Sequence, residues 1–261
     1  MELREWADQI LGADTLEDKL FCPSEWTDVY PGTSFFWKEP VRPPGMKFCR
    51  RSREEKLPSF SSHDKPENRA ICLHRFAGHE LLAVEIMAFT LVAFPEAPKE
   101  FRKGLAHTLR EEQGHVRLYM SGMERLGIRF GDMPLYRHFW MHTPHITSPL
   151  HYISTMSLTF EMANLDFAPM YGRSFAHFGD TEAAEIMTTI LADEIRHVKF
   201  GWRWLAQLKQ EDTPPWEAWL STLQSTKLQP KRAKGFVLHT APRKSAGLPD
   251  SWIEQLQKDR K

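Results

Sequence analysis

Apolar-rich stretches broken by proline, glycine and acidic caps fill the chain between about residues 66 and 208, and they predict four long helices. The first runs from Glu67 to Phe94 and stops at Pro95 and Pro98. The second opens at Pro98, where a missing amide donor costs nothing in a first turn, and ends at Leu126 before Gly127. The third starts at Ser148-Pro149 and reaches Ala176. The fourth opens at Asp180 after Gly179, carries Glu182 in its first turn and continues to Leu208. Upstream, a short helix is expected over the first dozen residues. Residues 21–68 hold seven of the chain's 18 prolines and read as an extended arm. Trp26, Tyr30, Phe35, Phe36, Trp37 and Phe48 on that arm need apolar cover, so it is expected to wrap the core. Beyond Thr213 the tail shows helix-like pieces at Trp216–Leu223 and Ser251–Gln257. The domain reading is an arm over 1–66, an up-down helical bundle over 67–208 and a C-terminal extension over 209–261.

Two of the four helices carry the same short text. Glu111-Glu112-Gln113-Gly114-His115 lies on the second and Asp193-Glu194-Ile195-Arg196-His197 on the fourth, and both read acid, Glu, x, x, His. Residues three apart share a helix face, so Glu112 with His115, and Glu194 with His197, can serve one site. One such motif is common by chance; two on the return arms of two hairpins are not. The outgoing arms supply partners. Glu80 and Glu112 are both 14 residues from their turn, which puts them level at roughly 21 Å from it. Glu161 and Glu194 are level in the second hairpin, and the separations, 32 and 33 residues, nearly match. Glu80 and Glu161 stand in apolar text, His-Glu-Leu-Leu-Ala-Val and Thr-Phe-Glu-Met-Ala, where a carboxylate is costly unless paired or metal-bound. Four carboxylates and two imidazoles suit two divalent ions, iron or manganese. The metal-free alternative is a polar layer in which these groups pair with Arg75, Arg110 or Arg196.

Composition narrows the classes. The chain is 41% hydrophobic and 26% charged, an ordinary globular balance. Its 34 basic and 34 acidic side chains cancel, which argues against a whole-surface grip on nucleic acid. The tail after Ser225 is locally basic, with nine basic and three acidic residues; no nucleic-acid-binding residues are assigned. Cys22, Cys49 and Cys72 form neither a disulfide framework nor a Cys-x-x-Cys site. The start shows no secretory signal, and the apolar run from Leu81 to Phe94 is broken by Glu85 and short for a bilayer. A cytoplasmic protein without membrane partners is expected.

The stretches LHRFAGHELLAVE (73–85), LREEQGHVRLY (109–119), FEMANLDFAP (160–169) and ADEIRHVKFG (192–201) together resemble the ferritin-like diiron-carboxylate superfamily, within it a branch distantly similar to a tRNA-modifying diiron hydroxylase. The resemblance implies an all-α ferritin-like four-helix bundle, two antiparallel hairpins with a crossover. All six positions its ligand pattern asks for are present: Glu80, Glu112, His115, Glu161, Glu194 and His197. It implies a role for Glu111 and Asp193 in holding the histidine of the opposite hairpin. Tyr119, one turn past His115, is a candidate for the substrate or redox side, and a packed core tyrosine is its plainer reading. Gly201 at the matching place of the other half suggests room for substrate or dioxygen. The aromatic and histidine-rich segment 136–152 is expected to pack, or to line an access route. Glu85 and Asp166 point away from the ligand face and are expected to salt-bridge neighbouring helices; His74 and His79 are expected to be packed or surface histidines.

The implied function is a diiron oxidoreductase that uses dioxygen on a small organic substrate. Its cofactors are two iron ions, or manganese or a mixed pair, and an external electron donor. A separate reductase is expected because no Rossmann glycine pattern or iron–sulfur cysteine cluster is present. The alternatives are a ferroxidase or iron-handling protein and a hydroxylase acting on tRNA. A homodimer is compatible with the oxidoreductase reading, whereas an iron-storage shell would be a many-subunit cage.

Overall fold

The structure is a computed structural model and describes residues 1–50 and 56–258. It is all-α apart from two very short strands, with ten α-helices among the described residues. The chain divides into two compact units, Met1–Thr143 and Pro144–Lys261.

In the first unit α1 (Leu3–Gly12) and α2 (Leu16–Leu20) precede the irregular arm, and α3 (Pro66–Ala93) and α4 (Lys99–Glu124) form a packed hairpin. Helix α2 was not foreseen; Thr15 caps it by accepting from the Asp18 amide. Proline at the first position opens α3, and the chain turns back through 94–98 as Pro95 and Pro98 require. Arg102 of α4 closes that turn from below, donating to the Leu91 and Phe94 carbonyls at the frayed end of α3. Gly127 with φ +83° ends the return helix. By length and composition α3 could cross a membrane, but 89% of its most apolar window is buried inside the protein, as befits a core helix.

The arm lies along this hairpin through polar ties. Gln113 of α4 donates to the Lys19 and Phe21 carbonyls, Arg102 grips Asp28 with two 2.8 Å bonds, and Ser34 donates to Ala93. Trp26 stacks on Trp6 at 5.5 Å, and Phe36 meets Phe89 and Phe94 edge-on. The expected apolar cover is only partial: Tyr30 is 74% exposed and Phe35 and Phe36 are about half exposed, because hydrogen bonds rather than ring burial fasten this segment. A parallel strand pair, β1 (Phe48–Cys49) with β2 (Leu135–Tyr136), was not foreseen either.

In the second unit the helix that starts at Pro149 is not uniform. It runs as α5 (Pro149–Thr155), passes through a π-helical segment over Met156–Glu161, and resumes as α6 (Met162–His177). Ser148 caps α5, accepting from the His151 amide. A tight turn links α6 to α7 (Thr181–Leu208): Gly179 takes φ +81°, and Asp180 then accepts from Ala183 to cap α7. The tail adds α8 (Pro215–Ser225), α9 (Thr240–Ser245) and α10 (Asp250–Lys258). Trp216, Trp219 and Trp252 meet with centroids 5.0–5.1 Å apart and give the tail its own aromatic core.

Candidate metal centre

Each unit builds one set of buried carboxylates around a buried histidine. In the first, Glu80 comes from α3 and Glu112 and His115 from α4, and each of the three offers a ligand atom within 4.8 Å of the others. Glu80 is 4%, Glu112 0% and His115 1% exposed. His115 Nδ1 lies 3.0 Å from Glu112 Oε2, one helical turn earlier. A buried Glu/His cluster of this kind could hold a metal ion.

The second unit repeats the arrangement with different local structure. Glu161, at the end of the π-helical segment, offers a ligand atom within 4.8 Å of one on His197. His197 Nδ1 lies 3.6 Å from Glu194 Oε2. All three side chains are buried. A π-helical turn inserts a residue into the α-helical register and re-aims the side chains that follow, and such turns favour functional sites. Asn164, one turn past Glu161, donates to Glu194 Oε1 at 2.7 Å. That leaves Oε2 turned to His197. The amide was not among the residues singled out from sequence; its signal was the three-residue spacing from Glu161. The matching residue after Glu80 is Ala83, which has no side-chain donor.

Several neighbours have settled positions. Asp193 forms a 2.5 Å ion pair with Arg196 on its own helix, and Glu111 is partly buried beside Glu112. Tyr119 is 2% exposed, with its ring 5.7 Å from Phe76. The space suggested by Gly201 is already occupied. A Cβ there would lie 2.4 Å from Ser157 Cβ in the π-helical segment, so the glycine serves close helix packing, not an open cavity. His74 is buried and accepts from the Gly131 and Met133 amides through Nε2, and burial, aided by Arg75, pushes its pKa down to about 4. His79 stacks on His138 at 5.2 Å. Arg75 lies 4.5 Å from the Tyr136 ring.

Glu85 and Asp166, five residues past Glu80 and Glu161, each anchor an added segment. Glu85 is wholly buried and binds Lys19 at 2.9 Å and Arg42 at 2.5 Å, both from the region before α3. Burial pulls the Lys19 pKa down, and the Glu85 carboxylate pulls it back up. Asp166 takes Arg243 from α9 and the Gly235 and His239 amides. The two buried acids therefore tie the N-terminal arm and the C-terminal tail to the helices that carry Glu80 and Glu161.

Residues 13–254 match the model of a family described as a protein of unknown function, DUF455. The chain is also 27% identical over 153 residues to an uncharacterized protein of Haemophilus influenzae. That similarity covers 56% of this chain and 53% of the relative, so the chain spans about half the relative's length. No solved structure matches.

Proposed function

The chain belongs to the DUF455 family, and from that premise we propose that it is a dinuclear-metal oxidoreductase of the ferritin-like type, acting with dioxygen on a small organic substrate. In this reading the two hairpins close as a four-helix bundle and their carboxylate–histidine sets complete one centre. Glu80, Glu112 and His115 hold ions together with Glu161, Glu194 and His197. The observation that carries the reading is a repeated one: in each hairpin a histidine Nδ1 faces the carboxylate three residues before it, at 3.0 and 3.6 Å, with both side chains buried. A cation between those atoms gains both as ligands.

The donor set fits the group. Carboxylate oxygens and imidazole nitrogens are the ligands of iron and manganese, and four carboxylates balance two divalent ions. Carboxylates this deep are expensive without a compensating charge. Two iron ions bound there would supply redox chemistry with dioxygen, with electrons drawn from a separate reductase. The protein's own part is positional. Asn164 fixes one oxygen of Glu194, and the π-helical turn aims Glu161. Tyr119 places a phenol one turn past His115 within the same buried layer.

The test is metal binding, read apart from turnover. Anaerobic reconstitution with iron(II), followed by metal analysis, should leave about two ions per chain. Glu112→Ala and Glu161→Ala, one from each hairpin, should each reduce the occupancy of both ions. Independent loss of one ion per variant would overturn the shared centre, and a metal-free protein after reconstitution would overturn the whole reading. Oxygen uptake by the loaded protein then separates an oxygen-using enzyme from a metal-binding protein without that activity. A many-subunit cage on gel filtration would favour iron handling.

A further inference from the structure

A cavity lies in the first unit, with a volume of about 440 Å³. It is made by the strand pair: the register Cys49↔Tyr136 brings together residues far apart in the chain, and the segments around them form the walls. Phe48 and Tyr136 supply flat apolar faces, while Arg50, Arg137 and His138 supply the polar side. None of the described lining residues is acidic. The volume falls in the range of small-molecule sites, about 300–1,000 Å³.

The walls are held before any ligand arrives. Arg42 lies 4.0 Å from the Phe48 ring centroid, and Arg42 is itself pinned by the buried Glu85. Arg75 lies 4.5 Å from the Tyr136 ring. His138 stacks on His79 with the rings 23° apart and 5.2 Å between centroids. Rings fixed in this way lose little freedom when a ligand packs on them. Arg137 lies 5.6 Å from the Phe48 ring centroid and 2.6 Å from Glu39, with both side chains of that ion pair about half exposed. An exposed pair of that kind is weak enough for a ligand oxyanion to displace.

We infer that this cavity is a binding site for a small anion with a flat apolar body: a ring lying against Phe48 and Tyr136, and a carboxylate or phosphate facing Arg137 and Arg50. Guanidinium forks match both oxyanions in a bidentate manner, and an uncharged ring would leave them unused. The inference stands apart from the metal centre, since neither its residues nor its test involves a bound ion.

Cys49 makes the site measurable. It is exposed and lines the cavity. Cys72 is buried, with burial pushing its thiol up to about 12, and burial also raises the partly covered Cys22. Labelling of the full chain with N-ethylmaleimide, followed by peptide mass spectrometry, therefore reports on Cys49 first. Phenyl phosphate or benzoate should slow Cys49 labelling severalfold in a saturable manner, and which of the two acts at lower concentration assigns the anion. Benzyl alcohol and inorganic phosphate, each lacking one half of the recognised chemistry, should protect much less. Arg137→Gln or Arg50→Gln should raise the protecting concentration roughly tenfold, the loss expected for one charge-assisted contact. Both positions are exposed, and a helical spectrum equal to the parent's confirms the fold. The proposal is overturned if neither anion protects the parent, if benzyl alcohol or inorganic phosphate protects as well, or if both arginine variants leave protection unchanged.

Discussion

Arg243 meets Asp166 with both ends of its guanidinium, Nη1 2.7 Å from Oδ1 and Nη2 2.9 Å from Oδ2, and solvent reaches neither side chain. Asp166 also accepts from the Gly235 and His239 amides, so one carboxylate on α6 gathers three groups of the tail. Breaking a buried pair from one side leaves a charge uncompensated, at a cost of about 3–5 kcal/mol. Asp166→Ala, which also strands two amides, should fall at the upper end of that range in denaturant unfolding. Arg243→Met should fall at or below the lower end, because the amides still serve the carboxylate. Equal midpoints for both variants and the parent would show that the tail is held by its tryptophans instead.

The π-helical segment and α7 touch at Ser157 and Gly201. Gly201→Ala puts a methyl group 2.4 Å from Ser157 Cβ, so one backbone has to move. Overpacking of this kind costs about 1–3 kcal/mol. Ser157→Gly should return most of that loss when combined with Gly201→Ala, a coupling that a double-mutant cycle of unfolding free energies reads directly. Simple additivity would show that the two helices do not meet there.

Asn164 holds Glu194, and its loss should be felt in metal binding more than in stability. Partners that orient a ligand typically contribute 10–100-fold in metal affinity. Asn164→Ala should weaken iron(II) binding within that range while the thermal midpoint of the metal-free protein moves little. Unchanged affinity in Asn164→Ala would remove the positioning role.

His74 sets a pH dependence. Its folded pKa of about 4 lies below the ordinary 6.5, so the folded state holds fewer protons than the unfolded one between those values. Stability from the neutral ring is therefore complete above pH 6.5 and is lost as pH falls toward 4, by roughly 3 kcal/mol. Protonation would also take Nε2 away from the Gly131 and Met133 amides. His74→Gln should be less stable than the parent at pH 7.5 and should show a flatter decline through the acidic window. A parent curve with the same slope as the variant would assign the acid sensitivity elsewhere.

Much of this protein was legible in its text. The four long helices end within a few residues of their proline, glycine and aspartate signals, because those residues act on the backbone within one turn and need no distant partner. The buried Glu/His cluster was also legible: Glu-x-x-His is a statement about one helix face, and level glutamates follow from a fixed rise per residue. The bridging of Glu85 and Asp166 could be expected from their angle off that face, but not the identity of Lys19, Arg42 and Arg243, which come from distant segments.

What the tertiary structure alone decided has a common cause, since each case depends on what lies across a gap. The π-helical turn before Glu161 is a register change that residue spacing cannot announce. Gly201 looks like open space in one dimension and is filled by Ser157 in three. The strand pair joins residues 48–49 to 135–136, and two residues per strand carry no periodicity to read. Local rules wrote the helices and the pairs along them; the closures between segments depended on packing, where shape and burial, and not sequence distance, select the partner.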